Sequence, residues 1–245
     1  MSLKLIVTKD GSLTIEGAGG VTYRSTFGAL QESMHVFINA GLRAVAGHRR
    51  SSAASVAGQL QSADQTPSPL HVFEMGFGSG LNALLSLLEA ADTGQPLVYE
   101  TVETDPLPLD KARELNYCRL MGRPEWTPFF EMLHTAPWDQ YVSIHPAFSI
   151  YKTRRDVKGY ALQQRANLLY YDAFDPVTQP ELWTPQVFES LYRQLHPGAV
   201  LVTYCSKGAV QRALRSAGFV VEKLPGPPGK REILRARKPA DETAP

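Results

Sequence analysis

The run VFEMGFGSGLNALL, residues 72–85, constrains the fold of this chain more than any other stretch. Apolar residues around Glu74 read as a strand. Gly76, Gly78 and Gly80 follow as a tight turn, and the residues from Leu81 onward read as the start of a helix. A strand, a glycine turn and a helix N-terminus let a backbone close on a nucleoside cofactor. A dinucleotide fingerprint G-x-G-x-x-G would need its third glycine at position 81, which is Leu81. The spacing here is E-x-G-x-G-x-G. It has no pyrophosphate to cradle, and it offers an acidic residue, Glu74, that can face a ligand's ammonium group.

The rest of the chain alternates strand and helix, which argues for a parallel sheet with helices on its faces. HVFEM and PLVYETVE predict the first two core strands, and QYVSIH and AFSIYKT two short strands joined across Pro146. NLLYYDAF and AVLVTYCS follow as apolar strands, with LNALLSLLEAA, LPLDKARELNYCRL and VFESLYRQLHPG as helices between them, the last stopped by Pro197 and Gly198. After the helix KGAVQRALRSAGF the chain ends in VVEKL, the turn PGPPGK and the strand REILRAR. A strand–turn–strand ending is how the sheet of an S-adenosylmethionine (SAM)-dependent methyltransferase finishes, with its final strand inserted antiparallel. The fold class expected is therefore α/β, a Rossmann-like SAM-dependent methyltransferase with a seven-stranded, mostly parallel sheet over residues 70–238. Ahead of it, residues 1–69 form an extension: LKLIVTKDGSLTIE reads as a β-hairpin around a D-G turn. TFGALQESMHVFINAGLRAVA reads as an amphipathic helix with Leu30, Met34, Phe37 and Ile38 on one face, and Arg49–Pro69 as a helix fading into a loop. The tail 239–245 reads as disordered.

Composition excludes more than it selects. No stretch approaches 18 consecutive apolar residues and the N-terminus lacks a signal-peptide pattern, so a cytoplasmic location is expected, with no membrane partner. Cys118 and Cys205 give neither a disulfide framework nor a zinc spacing, and the six histidines show no ligand spacing, so no metal is assigned. The net charge of +1 hides a division: Glu74–Glu114 carries eight acidic and two basic residues, whereas Lys207–Lys238 carries nine basic and two acidic. A smaller basic cluster comprises Lys152, Arg154, Arg155, Lys158 and Arg165 around Asp156. Basic surface beside a cofactor domain suits a polyanionic substrate, though solvated helix faces would give the same pattern.

Ligands of a doubly wound sheet lie beyond the carboxyl ends of its strands. Glu103 ends the second strand, where a carboxylate can accept both ribose hydroxyls of an adenosine cofactor. Asp156 follows the third, where an acid can accept the adenine amino group. Asp172 ends the fourth, above the position a transferred methyl would occupy, and can bind or deprotonate an amine. Each has a plain alternative: a solvated acid, a partner for Arg154 or Arg155, and a helix N-cap.

Taken together, FEMGFGSGLNALL, VETDP, ALQESMHVFINAGL and DAFDPVTQPELWTPQVFESLYRQLHPGAVLVTYCSKGAVQRALRSAGFVVEKLPGPPGKRE resemble the methyltransferase family that completes 5-methylaminomethyl-2-thiouridine at the tRNA wobble position. The likeness runs from about Leu3 to Arg237. It implies that Glu74, Gly76, Gly78, Gly80, Glu103 and Asp156 hold SAM, that Asp172 faces the amine, and that Lys230 and Arg231 meet the anticodon arm of tRNA. In many bacteria this domain is fused to an FAD-dependent oxidoreductase. The chain resembles the stand-alone form, for which a separate enzyme would supply the aminomethyl-uridine. Arg155 stands where that family is expected to carry a glycine. A different class, small-amine transfer of the spermidine synthase type, uses the same sheet and a strand-end aspartate.

Overall fold

The computed structural model describes residues 3–49 and 67–240. The expected fading of residues 49–69 into a loop, and the disordered tail 239–245, fall mostly outside them. The N-terminal hairpin pairs β1 (Lys4–Val7) with β2 (Leu13–Glu16), antiparallel, as the D-G turn predicts. Asp10 organises the turn by accepting from the Ser12 N–H at 3.0 Å, and its second oxygen accepts the Gln31 N–H at 2.9 Å. That second bond ties the turn to helix α1 (residues 29–49). α1 contains a π-helical stretch, Met34–Arg43, that residue periodicity did not predict. Within it Gly41 comes so close to the sheet that an added Cβ would lie 3.0 Å from Val202 and 3.3 Å from Tyr170.

The sheet runs β5 (Tyr141–His145), β6 (Phe148–Thr153), β4 (Leu97–Val102), β3 (Leu70–Met75), β7 (Ala166–Tyr171), β8 (Leu195–Thr203), β10 (Glu232–Arg237), β9 (Val220–Pro225). The five strands from β6 to β8 are parallel, and β10 lies between β8 and β9, antiparallel to both, as the closing hairpin predicts. The two short strands expected around Pro146 form as β5 and β6, and with β5 as an antiparallel edge on β6 the sheet counts eight strands rather than seven. Strands alternate their side chains between two faces. Val72, Leu168, Tyr170, Val200 and Val202 share a core with α1 and α2 (Leu81–Thr93), whereas Phe73, Leu169, Tyr171 and Leu201 share one with α6 (Pro185–Arg193) and α7 (Gly208–Ser216). Burial of both faces explains why these strands read as continuous apolar runs.

Two helices differ from expectation. LPLDKARELNYCRL splits into α3 (Leu109–Glu114) and α4 (Tyr117–Leu120), because Leu115 is extended and Asn116 clasps the N-terminal hairpin. The Asn116 side chain accepts from the Leu13 N–H and donates to the Gly11 carbonyl, both at 2.9 Å. α6 stops at Arg193, and Leu195 to Gly198 belong to β8 instead of capping the helix. Leu195 pairs with Ala166, and the missing N–H of Pro197 falls where the β7–β8 register shifts, so no ladder bond is sacrificed. α5 (Thr127–Thr135) covers the sheet near β5.

Candidate active site

Register builds the site. Met75 pairs with Val102 on one side and with Tyr171 on the other, so β3, β4 and β7 end at one level. Gly76, Glu103 and Asp172 therefore leave the sheet side by side. They line a cavity of about 610 Å³ together with Gly78, Asp156, Tyr23 and Arg24. Its far wall comes from the segment after β7, including Phe174, Gln179 and Glu181.

All three loop glycines have positive φ, at 90° for Gly76, 51° for Gly78 and 71° for Gly80. The requirement is sharpest at Gly80, where an added Cβ would lie 2.8 Å from His134 Nε2. Burial pushes that imidazole down to about 4, with Lys152 adding to the effect, so His134 is neutral at physiological pH. Lys152 is itself 1% exposed and donates to the carbonyls of Leu133 and His134 at 2.7 and 2.8 Å. Its place in a basic surface cluster is thereby corrected: this lysine pins α5 beneath the glycine loop.

Glu103 is held from two sides. The Gly78 N–H donates to one of its oxygens at 2.8 Å and the Asp105 N–H to the other at 2.9 Å. Burial nonetheless leaves its carboxyl above the usual range. Burial, and then Glu103 and Asp105, raise the Tyr23 phenol, which keeps its proton as a donor on the same wall. Asp156 is exposed, pairs with Lys158 at 3.3 Å and reaches the cavity from the opposite side.

Glu74 and Gly80 stand behind this surface and are not among the residues that line the cavity. The pleat turns Glu74 toward α2, where it is fully buried and accepts from Asn82 Nδ2 at 2.9 Å. Burial pushes its carboxyl up to about 8, so it is mostly protonated at neutral pH. Asn82 donates equally, at 2.9 Å, to Asp172 Oδ2. Burial lifts Asp172 to about 6, against the pull of the Arg24 guanidinium, which pairs with the same oxygen.

Arg24 is the residue that the sequence did not disclose. It lies between β2 and α1, outside any periodic pattern, and its acidic partner is 148 residues away. Lys230 sits in the β9–β10 turn, paired with Glu32 of α1 and 4.0 Å from the Tyr204 ring centroid, while Arg231 is exposed beside it. Among the described residues no group of three His, Cys, Asp or Glu side chains could hold a metal ion.

A family described as S-adenosyl-L-methionine-dependent methyltransferase matches residues 148–239. The MnmC protein of Pseudomonas aeruginosa (strain UCBPP-PA14), "tRNA 5-methylaminomethyl-2-thiouridine biosynthesis bifunctional protein", is 30% identical over 232 residues, 89% of this chain and 32% of that protein. Its counterpart in Pseudomonas entomophila (strain L48) is 34% identical over 181 residues, 67% of this chain and 26% of that protein. The chain belongs to the SAM-dependent methyltransferases. This methyltransferase spans about a quarter to a third of the length of those bifunctional homologues. Its fold is similar to the crystal structure of MNMC2 from Aquifex aeolicus, with TM-score 0.72 and 21% identity over 100% of this chain and 72% of that one. It is also similar, more distantly, to spermidine synthase from Thermotoga maritima, with TM-score 0.55 and 16% identity over 98% of this chain and 70% of that one.

Proposed function

We propose that the chain uses SAM to N-methylate the 5-aminomethyl group of (2-thio)uridine at the tRNA wobble position, giving 5-methylaminomethyl-2-thiouridine. The observation that carries this reading is one cavity in which a buried strand-end carboxylate, Asp172, faces the glycine loop and Glu103. The named activity of homologues aligned over most of the chain supports the substrate.

The donor set fits the cofactor. Glu103, fixed by two backbone N–H groups, has lone pairs left for ribose hydroxyls, and Asp156 can accept the adenine amino group. Glu74 acts from behind, through Asn82, rather than by touching the ligand. When bound, SAM would supply a methyl group on a sulfonium, a leaving group that needs no activation. The chain's task is to present a neutral amine in line with it.

A primary alkylammonium has a pKa of about 10, so at neutral pH a proton must be removed. At about 6, the Asp172 carboxyl is mostly ionised at pH 7 and can orient the amine and accept that proton. Arg24 and Asn82 both engage Oδ2, so Oδ1 takes no hydrogen bond from either. Asp172 would hold the proton it removes and keep the nitrogen lone pair turned toward the methyl that bound SAM would supply. Phe174 and Leu182 limit water on the far wall.

The polyanionic partner is the anticodon arm, with the wobble base splayed into the cavity and phosphates near the exposed Arg231. Lys230 is already paired with Glu32 and is near enough to Asp172 to favour its ionised form. No helix among the described residues is long and apolar enough to cross a membrane. A tRNA substrate supports a cytoplasmic location. A separate enzyme would supply the aminomethyl-uridine.

The test is incubation with labelled SAM and tRNA carrying 5-aminomethyl-2-thiouridine, followed by nucleoside mass spectrometry. Conversion to the methylaminomethyl product supports the reading. SAM binding without transfer would sink it and direct attention to small amines.

A further inference from the structure

We propose that Arg24 is a positioning residue that keeps the Asp172 carboxylate charged and turned to the cavity. The proposal rests on reading Asp172 as the group that faces the amine, and its own geometry is independent of that reading. The Arg24 side chain is 4% exposed and that of Asp172 is 8% exposed, so the pair is removed from water. A buried carboxylate without a partner is strongly disfavoured, and it escapes that cost by taking up a proton. A protonated Asp172 cannot accept one from an ammonium substrate.

Other charged groups face Asp172, and they do not replace Arg24. Glu32 of α1 opposes ionisation, and Glu74 of β3 is buried within range of the same guanidinium. Lys230, from the β9–β10 turn, favours ionisation but is paired with Glu32. Asn82 of α2 donates one neutral hydrogen bond, and the Tyr204 phenol beyond β8 is held protonated. The cation in direct contact is Arg24.

The position of Arg24 is itself fixed. Its backbone N–H donates to Thr14 Oγ1 at 3.0 Å, and that of Tyr23 donates to the Ile15 carbonyl at 2.8 Å. The guanidinium carbon lies 5.9 Å from the Phe37 ring centroid. β2 and α1 thus hold a charge against a strand end of the sheet.

The experiment compares the full chain with Arg24→Met, which keeps much of the volume and loses the charge, and Arg24→Lys, which keeps the charge. The Asp172 carboxyl is followed by 13C NMR through a pH titration, with Asp172→Asn assigning the resonance. The expected result is a midpoint at least about one pH unit higher in Arg24→Met, a tenfold change in the protonation equilibrium, with Arg24→Lys nearer the parent. For a one-unit shift the ratio of parent to Arg24→Met kcat/KM on aminomethyl-uridine tRNA should approach about tenfold near pH 5, fall to about twofold at pH 7 and reach about one by pH 9. Taking the ratio cancels the ionisation of the substrate amine. An unmoved midpoint, or a loss of activity equal at every pH, would overturn the proposal and leave Arg24 a structural residue. If Arg24→Met does not fold, Arg24→Gln carries the same test. A midpoint that moves in a protein that transfers no methyl to this tRNA supports the positioning and overturns the functional reading instead.

Discussion

The Gly78 N–H donates to the Glu103 carboxylate at 2.8 Å, joining the glycine loop after β3 to the end of β4. The carboxylate that would meet the cofactor ribose therefore also sets the loop that would pass beneath it. Glu103→Ala should raise the Kd for SAM by about 10- to 100-fold, the equivalent of one or two charge-assisted hydrogen bonds. Isothermal titration calorimetry on the isolated protein reads this directly, and an unchanged Kd would remove Glu103 from the cofactor site.

Asp172→Ala should lower methyl transfer by at least about 100-fold while leaving SAM affinity within a few fold, if the carboxylate acts on the acceptor as proposed. A variant that still turns over at the parent rate would end its assignment.

Gly80→Ala places a Cβ in left-handed backbone and 2.8 Å from the buried His134 ring. We expect a loss of about 1–3 kcal/mol and a lower Tm, with SAM binding weakened as the loop shifts. Thermal melts with and without SAM test it, and a melt like that of the parent would show that the loop tolerates the change.

Glu74 gives a pH signature. Its carboxyl is near 8 in the folded chain and near 4.5 when unfolded, so the folded state binds its proton more tightly. The stability this contributes is fully present below about pH 4.5 and is lost as pH rises through 8. At about 1.4 kcal/mol per pH unit the loss amounts to several kcal/mol. Glu74→Gln, which keeps a neutral partner for Asn82, should be more stable than the parent at pH 8.5 and close to it at pH 5. Urea unfolding at the two pH values decides, and an equal difference at both would mean that Glu74 is ionised inside the fold.

The strand ends were legible because apolar runs stop abruptly at Gly76, Glu103 and Asp172, and a parallel sheet brings such stops together. The direction in which Glu74 points was not, since the pleat and the placement of α2 decide it. Lys152 looked like surface because sequence cannot show two carbonyls waiting at the end of α5. Arg24 escaped for a related reason: nothing nearby in sequence needs a cation. The boundary at Pro197 was misplaced because proline and glycine stop helices by local chemistry, whereas here pairing with Ala166 prevailed.

The pairing of Arg24 with Asp172 across 148 residues, and of Glu32 with Lys230, bears on how the protein is made. On the ribosome, the hairpin and α1 emerge before β7 and the β9–β10 turn, so their charges stay unmatched until those segments follow. Distant closures of this kind slow folding and come late. The glycine loop is thus complete in the chain well before the β9–β10 turn that matches the charge of Glu32.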